Sequence, residues 1–306
     1  MISLITGGDG FVGRYLVSAL KKDGYDVVST YNSMKNSNEH CRLDILDKYN
    51  IMEVLQKYKP DNIFHLAAQS SVAESWKNPQ NTINVNVLGT TNLLEVLKEI
   101  NYQGKVLLIG SSEEYGMSNY SKPVTEDNIM NPSNIYAATK VMQEMLGKIY
   151  VKAYGLDIIM TRSFNHIGAG QSPLFVVSDF CKQVAEIEKG KQQPVIYVGN
   201  IDSQRDFTDV RDIVRAYILL SKKGKSGEVY NVGSGKARSI RELLGIILSF
   251  SNMDISIKID ESKYRPNDIP VIQADISKLC NDTKWQINNN IETTLLEVLN
   301  YWRQVQ

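Results

Sequence analysis

Cysteine and histidine are scarce, three of each in 306 residues, and Cys41, Cys181 and Cys280 lie far apart. That excludes a disulfide framework, and no spacing among the six resembles a zinc site. No apolar run approaches the roughly 20 residues of a membrane span. An excess of either charge is missing too: 34 basic against 34 acidic residues give no global field to attract nucleic acid or anionic lipid. The opening Met-Ile-Ser-Leu-Ile-Thr lacks a basic segment and runs straight into glycines, so it reads as a strand rather than a signal peptide. A reducing, cytoplasmic setting is expected, with no nucleic-acid or membrane partner.

What is present is enough apolar residue, 42%, for one large α/β unit with an appendage or for two domains. Ile2 to Thr6 is a β-type run, followed by Gly7-Gly-Asp-Gly10-Phe-Val-Gly13 and a helical pattern from Phe11 to Lys21. Glycines at this spacing between strand and helix put backbone N–H groups at a helix N-terminus, where a pyrophosphate can approach without side-chain hindrance. Tyr25 to Tyr31 reads as the second strand. Its end, Ser29 to Ser33, is neutral with Lys35 nearby, where an acidic residue would have bonded a ribose 2′-hydroxyl. NADP(H) is therefore favoured, with NAD(H) still open. Leu43 to Asp47 ends a third strand; Asp44 could reach an adenine amino group, whereas Asp47 reads as a helix cap.

Asn62 to Ala68 predicts a buried strand whose small Ala67 and Ala68 would let a cofactor lie on the backbone, with His65 a core histidine. Asn84 to Ile100 predicts one long amphipathic helix. Lys105 to Ile109 is the next strand, running into Ser111-Ser-Glu113 at the carboxyl edge of a parallel sheet, where open α/β folds bind ligands. Tyr136 and Lys140 are four apart on a helix and share a face. An ammonium about 4 Å from a phenol is worth roughly 4 kcal/mol at an effective dielectric of ~20, enough to bring a tyrosine toward neutral-pH proton transfer.

In their order and spacing, Gly7-x-x-Gly10-x-x-Gly13, His65-Leu-Ala-Ala68, Ser111-Ser-Glu113 with Tyr115-Gly116, and Tyr136-x-x-x-Lys140 resemble the extended short-chain dehydrogenase/reductases. The resemblance implies that Ser111 polarises a sugar carbonyl, that Tyr136 exchanges the proton, and that Lys140 lowers the tyrosine pKa and holds the nicotinamide ribose. It implies cofactor contacts from Gly7, Gly10, Phe11, Val12, Asp44, Ile45, Leu66, Ala67, Ala68, Tyr136 and Lys140. Arg162 to Gln171 and Gly199 to Asp212 are similar to the GDP-sugar branch, of GDP-mannose 4,6-dehydratases and GDP-4-keto-6-deoxymannose reductases. By that similarity Asn165 and Arg205 contact a pyrophosphate, an anion that an arginine fork suits. Ser112, Lys182 and Arg265 are further substrate candidates. The alternative for Arg205 is an ion pair with Asp206 or Asp209. Gly233-Ser-Gly235 looks like a phosphate loop but reads as a turn, and Ser239-Ile-Arg-Glu242 is a capping box.

The expected fold is α/β, a doubly wound parallel Rossmann sheet with a small C-terminal substrate lobe. Residues 1–162 would form the dinucleotide-binding body, its sheet completed by about 209–233, and 163–208 with 234–306 the lobe. Glu113 stands where the dehydratases keep the carboxylate that elimination needs. The chain lacks their long basic loop after the second strand, and Asn165 to Gln171 matches the reductases instead. Reduction of the C4 keto group of a GDP-linked 6-deoxy-4-keto-hexose is the preferred reading. A dehydratase, a C4 epimerase and a nucleotide-sensing binding protein are the alternatives, and a homodimer is implied by the resemblance.

Overall fold

The computed structural model describes residues 1–32, 41–116, 122–261 and 270–305. In chain order the strands are β1 (Ile2–Thr6), β2 (Asp26–Tyr31), β3 (Cys41–Arg42), β4 (Asn62–His65), β5 (Lys105–Ser111) and β6 (Asp157–Ser163). There follow β7 (Asn165–Ile167), β8 (Val195–Val198), β9 (Gln204–Asp209), β10 (Val229–Val232), β11 (Ala237–Ser239), β12 (Ser256–Ile259) and β13 (Val271–Ile272). Seven of them pair in the order β10-β6-β5-β4-β1-β2-β3, every pairing parallel. The order reverses beside β1, so the crevice outside the carboxyl ends of β1 and β4 is the switch point where such sheets take ligands.

A two-residue period buries both faces of this sheet. On β5, Val106 and Leu108 join Leu93, Leu94 and Leu97 of the helix Gly89–Glu99 on one side. Leu107 joins Leu16 and Leu20 of the helix Phe11–Lys22 and Tyr217 of the helix Val210–Lys223 on the other. Covered on both faces, the strands can be near-continuously apolar. A separate core holds the rest together: Phe180 and Val184 of the helix Val176–Glu188 pack with Leu243, Ile247, Leu295 and Leu299. Around it lie a small sheet of β11, β9 and β13 with β7 on β9, and the parallel pair β8 and β12.

Two expectations about elements are corrected. The predicted helix over Asn84–Ile100 is broken: a short helix Pro79–Ile83 runs into a π-turn at Asn84–Leu88 before the α-helix resumes at Gly89. The turn presents Asn86, fully buried, which accepts from Gln69 N–H (2.8 Å) and donates to Gln69 C=O and Thr139 Oγ1 (both 3.0 Å). The third strand is only two residues long, and Asp47 caps the helix Lys48–Tyr58 by accepting from the N–H groups of Tyr49 and Asn50. As expected, Ser239 caps the helix Ile240–Ser249 and His65 is a core histidine between Thr6 and Thr90; a last helix spans Ile291–Val305. No described helix is long and apolar enough to cross a membrane.

Candidate active site

A cavity of about 650 Å³ opens at the carboxyl edge of the sheet and extends under β7 and the helix Val176–Glu188. Its floor at one end is the glycine turn. Gly7 has φ +67°, and a Cβ there would meet Ala67 backbone at 3.0 Å; a Cβ on Gly13 would lie 2.5 Å from Gly7 C=O and 2.7 Å from Gly8 Cα. Gly10 supplies no side-chain cap to the helix that begins at Phe11, so its first N–H groups face the cavity unclaimed. This cradle fits a dinucleotide pyrophosphate, and Phe11, Val12, Ile45, Leu66, Ala67 and Ala68 line the walls beside it. Asp44 is off the lining: its carboxylate accepts from Leu46 N–H at 2.9 Å and closes its own turn. Ser33 and Lys35 lie outside the described residues; Thr30 and Asn32, just before them, line the cavity.

The catalytic candidates meet at the centre. Asn134 caps the helix Ile135–Tyr154 by accepting from Ala137 N–H, which fixes where that helix starts and turns Tyr136 and Lys140 into the cavity. Ser111 ends β5, its hydroxyl beside the Tyr136 phenol on the cavity wall. Glu113 lines the cavity and accepts from Asn134 Nδ2 at 2.9 Å, so a single asparagine ties the carboxylate to the helix start. Ser112 is buried on the same wall.

Burial pushes the Tyr136 phenol well above the ordinary value, the Ser111 hydroxyl pulls it back, and Glu113 and Glu114 push it further up. Tyr136 and Lys140 do share a helix face, but the Lys140 ammonium donates to Ile109 C=O (2.8 Å) and Gln143 Oε1 (3.0 Å). Burial lowers Lys140 to about 8, with Glu114 opposing. If the ammonium form is the working one, activity should be level below that value and fall as pH rises through about 8. Lys140→Arg, which stays charged, should move this alkaline limb upward. A kcat/KM profile flat to pH 10 in the wild type would remove the lysine from the titration.

Of the phosphate candidates, Asn165 lines the cavity and Lys182 and Arg205 do not. Lys182 faces away, paired with Glu186 at 2.9 Å one helical turn on. Arg205 sits on β9 opposite Arg238 of β11 and donates to Gln204 C=O. The carboxylates offered as its alternative partners serve elsewhere. Asp206 accepts from Ser234, Gly235 and Ala274 N–H, and Asp209 binds Arg211 and Thr294. The Gly233-Ser-Gly235 loop is thus a turn whose anion is internal. Arg265 lies outside the described residues.

Sequence reasoning did not single out four residues. His166 lines the cavity and stacks on Phe11 with ring centroids 6.2 Å apart, and Phe175 faces it from the lobe. Asn134 was legible as a cap before a helical run. Glu114 carried the S-x-x-E spacing of a capping box with Ser111, but that spacing gives no sign that its carboxyl is fully buried.

A glycine cradle at the switch point, with serine, tyrosine and lysine converging beyond it, defines an extended short-chain dehydrogenase/reductase. Comparison with known proteins narrows this. A sequence profile of the family described as GDP-mannose 4,6 dehydratase matches residues 4–298, and the chain belongs to that family. It is 32% identical over 299 residues to the GDP-6-deoxy-D-mannose reductase of Pseudomonas aeruginosa, covering 97% of this chain and 96% of the relative. Among solved structures, RMD from Pseudomonas aeruginosa complexed with NADPH matches with a TM-score of 0.90 at 31% identity, over 100% of this chain and 99% of that one. The Thermus thermophilus UDP-glucose 4-epimerase complexed with NAD matches with a TM-score of 0.88 at 26% identity, over the whole of both chains.

Proposed function

We propose that this protein reduces the C4 keto group of a nucleotide-linked 6-deoxy-4-keto-hexose, GDP-4-keto-6-deoxymannose giving GDP-rhamnose, with NADPH. The observation that carries the reading is the Ser111–Tyr136 pair beside the glycine cradle, within a chain that resembles a reductase over almost its whole length. Bound NADPH supplies the hydride. Ser111 donates a hydrogen bond to the carbonyl oxygen, and the Tyr136 hydroxyl delivers the proton that completes the alcohol. A phenol held high by burial keeps that proton at neutral pH until charge develops on the oxygen beside it. Lys140 lies against the ribose side of the cavity. Asn165, on the cavity wall, meets the substrate diphosphate. Residues 1–162 with about 209–233 act as the cofactor body, and the remainder closes over the sugar nucleotide.

Wild-type protein given GDP-4-keto-6-deoxymannose should oxidise NADPH stoichiometrically and leave GDP-mannose unchanged. A dehydratase would instead form a keto sugar from GDP-mannose with no net loss of nicotinamide absorbance, and that product, abolished in Glu113→Gln, would sink the reductase reading. The same assay with NADH should give a lower kcat/KM, because the end of β2 has no acidic residue to repel a 2′-phosphate. A clear NADH preference would overturn this.

The reading includes a homodimer. Leu88, Met142, Met145 and Ile149 are about half exposed, on the π-turn and the neighbouring catalytic helix. Adjacent apolar side chains on packed helices mark an interaction surface. Light scattering that reads a monomer at micromolar concentration would remove the dimer.

A further inference from the structure

Behind the cavity, out of reach of substrate, lies a cluster that the proposed reaction does not use. Arg162, near the carboxyl end of β6 and 2% exposed, holds Glu144 through two hydrogen bonds (2.8 and 2.9 Å) and stacks its guanidinium 4.7 Å from the Tyr115 ring centroid. Glu144 also takes Lys148 at 2.7 Å, so that ion pair is complete without help. Glu114, 0% exposed, is the second carboxyl in this cluster. Its Oε2 is 3.8 Å from Arg162 Nε and has no hydrogen-bond partner among the described residues, while its Oε1 accepts from the Ser111 N–H at 2.7 Å. A buried carboxyl that leaves one oxygen unsatisfied is costly. Its one close bond goes to the backbone of the residue that touches Tyr136.

The local geometry shows what that bond does. Ser111 and Glu114 form a reciprocal capping box: the Ser111 hydroxyl accepts from the start of the turn Ser112–Tyr115, and the Glu114 carboxyl returns to the Ser111 N–H. A Cβ on Gly110 would fall 2.2 Å from Thr161 C=O on the neighbouring strand and 2.5 Å from Glu114 Oε1, so glycine leaves room for both the strand pairing and the carboxyl. Burial and the neighbouring Glu144 push the Glu114 carboxyl above the usual carboxylate range, while the Ser111 N–H bond and Arg162 pull it back.

We infer that Glu114 is a positioning residue for catalysis: by clamping the Ser111 N–H from beneath the sheet, it holds the Ser111 hydroxyl toward Tyr136 and the reacting carbonyl. This rests on the proposed role of Ser111. It requires an acceptor at this place.

Glu114→Gln keeps the acceptor, and Glu114→Met keeps the length without it. Glu114→Gln should retain kcat within about threefold, whereas Glu114→Met should lose about ten- to a hundredfold in kcat with KM for both substrates nearly unchanged, as for a displaced oxyanion donor. In a Ser111→Ala background, Glu114→Met should cost almost nothing more, since residues acting through one group are not additive. Wild-type kcat in Glu114→Met, a Glu114→Gln variant as poor as Glu114→Met, or full additivity with Ser111→Ala would each overturn the inference. Should Glu114→Met lack the wild-type circular dichroism, Glu114→Leu replaces it. Amide exchange at Ser111 reads the clamp without turnover: protection should persist in Glu114→Gln and fall at least about tenfold in the apolar variant. Wild-type protein inactive on every 4-keto nucleotide sugar would indict the proposed function alone. The exchange result then decides the clamp, and unchanged protection in the apolar variant rejects it.

Discussion

Tyr136→Phe should lower kcat by about 10²- to 10⁴-fold while leaving cofactor affinity within about twofold, because only the transferred proton is removed. The ring is buried at the cavity's centre and Phe keeps its volume, so packing against the helix start survives. What is lost is the hydroxyl between Ser111 and the substrate oxygen. Water is a poor substitute at a position only 9% exposed. Steady-state kinetics, with cofactor titrated separately by nicotinamide fluorescence, checks the two halves of this claim. Turnover near that of the wild type would hand the proton to another group, with Glu113 the first to test, since it also lines the cavity.

Gly13→Ala should weaken NADPH binding by about a hundredfold and lower the melting temperature by several degrees. The added Cβ would lie 2.5 Å from Gly7 C=O and 2.7 Å from Gly8 C and Cα, and these are backbone atoms that no rotamer change can move. Overpacking of this kind costs about 1–3 kcal/mol, and relief means shifting the loop whose N–H groups form the anion site. The same change at Gly24, which has open space around it but φ +80°, would strain the backbone far from the cavity. It should cost stability without touching affinity, which separates the two effects. Unimpaired binding by a folded Gly13→Ala variant would mean that the glycine cradle is not the pyrophosphate site.

How far the site was legible depends on what each residue answers to. Gly7, Gly10 and Gly13 could be read because a tight strand-to-helix turn admits little else at those positions. Ser111, Tyr136 and Lys140 could be read because their order and spacing are tied to one sheet edge and one helix face. Lys182 could not: residues on one helix point in different directions, and only the packing of the helix Val176–Glu188 shows that this lysine faces Glu186 rather than the cavity. Arg205 likewise carries a motif but no direction.

By itself, then, the sequence determined the parallel sheet, through short apolar runs alternating with helical periods, and which serine, tyrosine and lysine meet at the candidate site. Local rules suffice there, since strand period, helix period, caps and glycine turns act over a few residues. The tertiary structure alone decided what those groups touch. Lys140 reaches Ile109 and Gln143 instead of Tyr136, and Glu114 is drawn under Ser111 beside Arg162, 48 positions along the chain. Desolvation depends on everything packed around a group, and contacts between residues this far apart exist only once the sheet has formed.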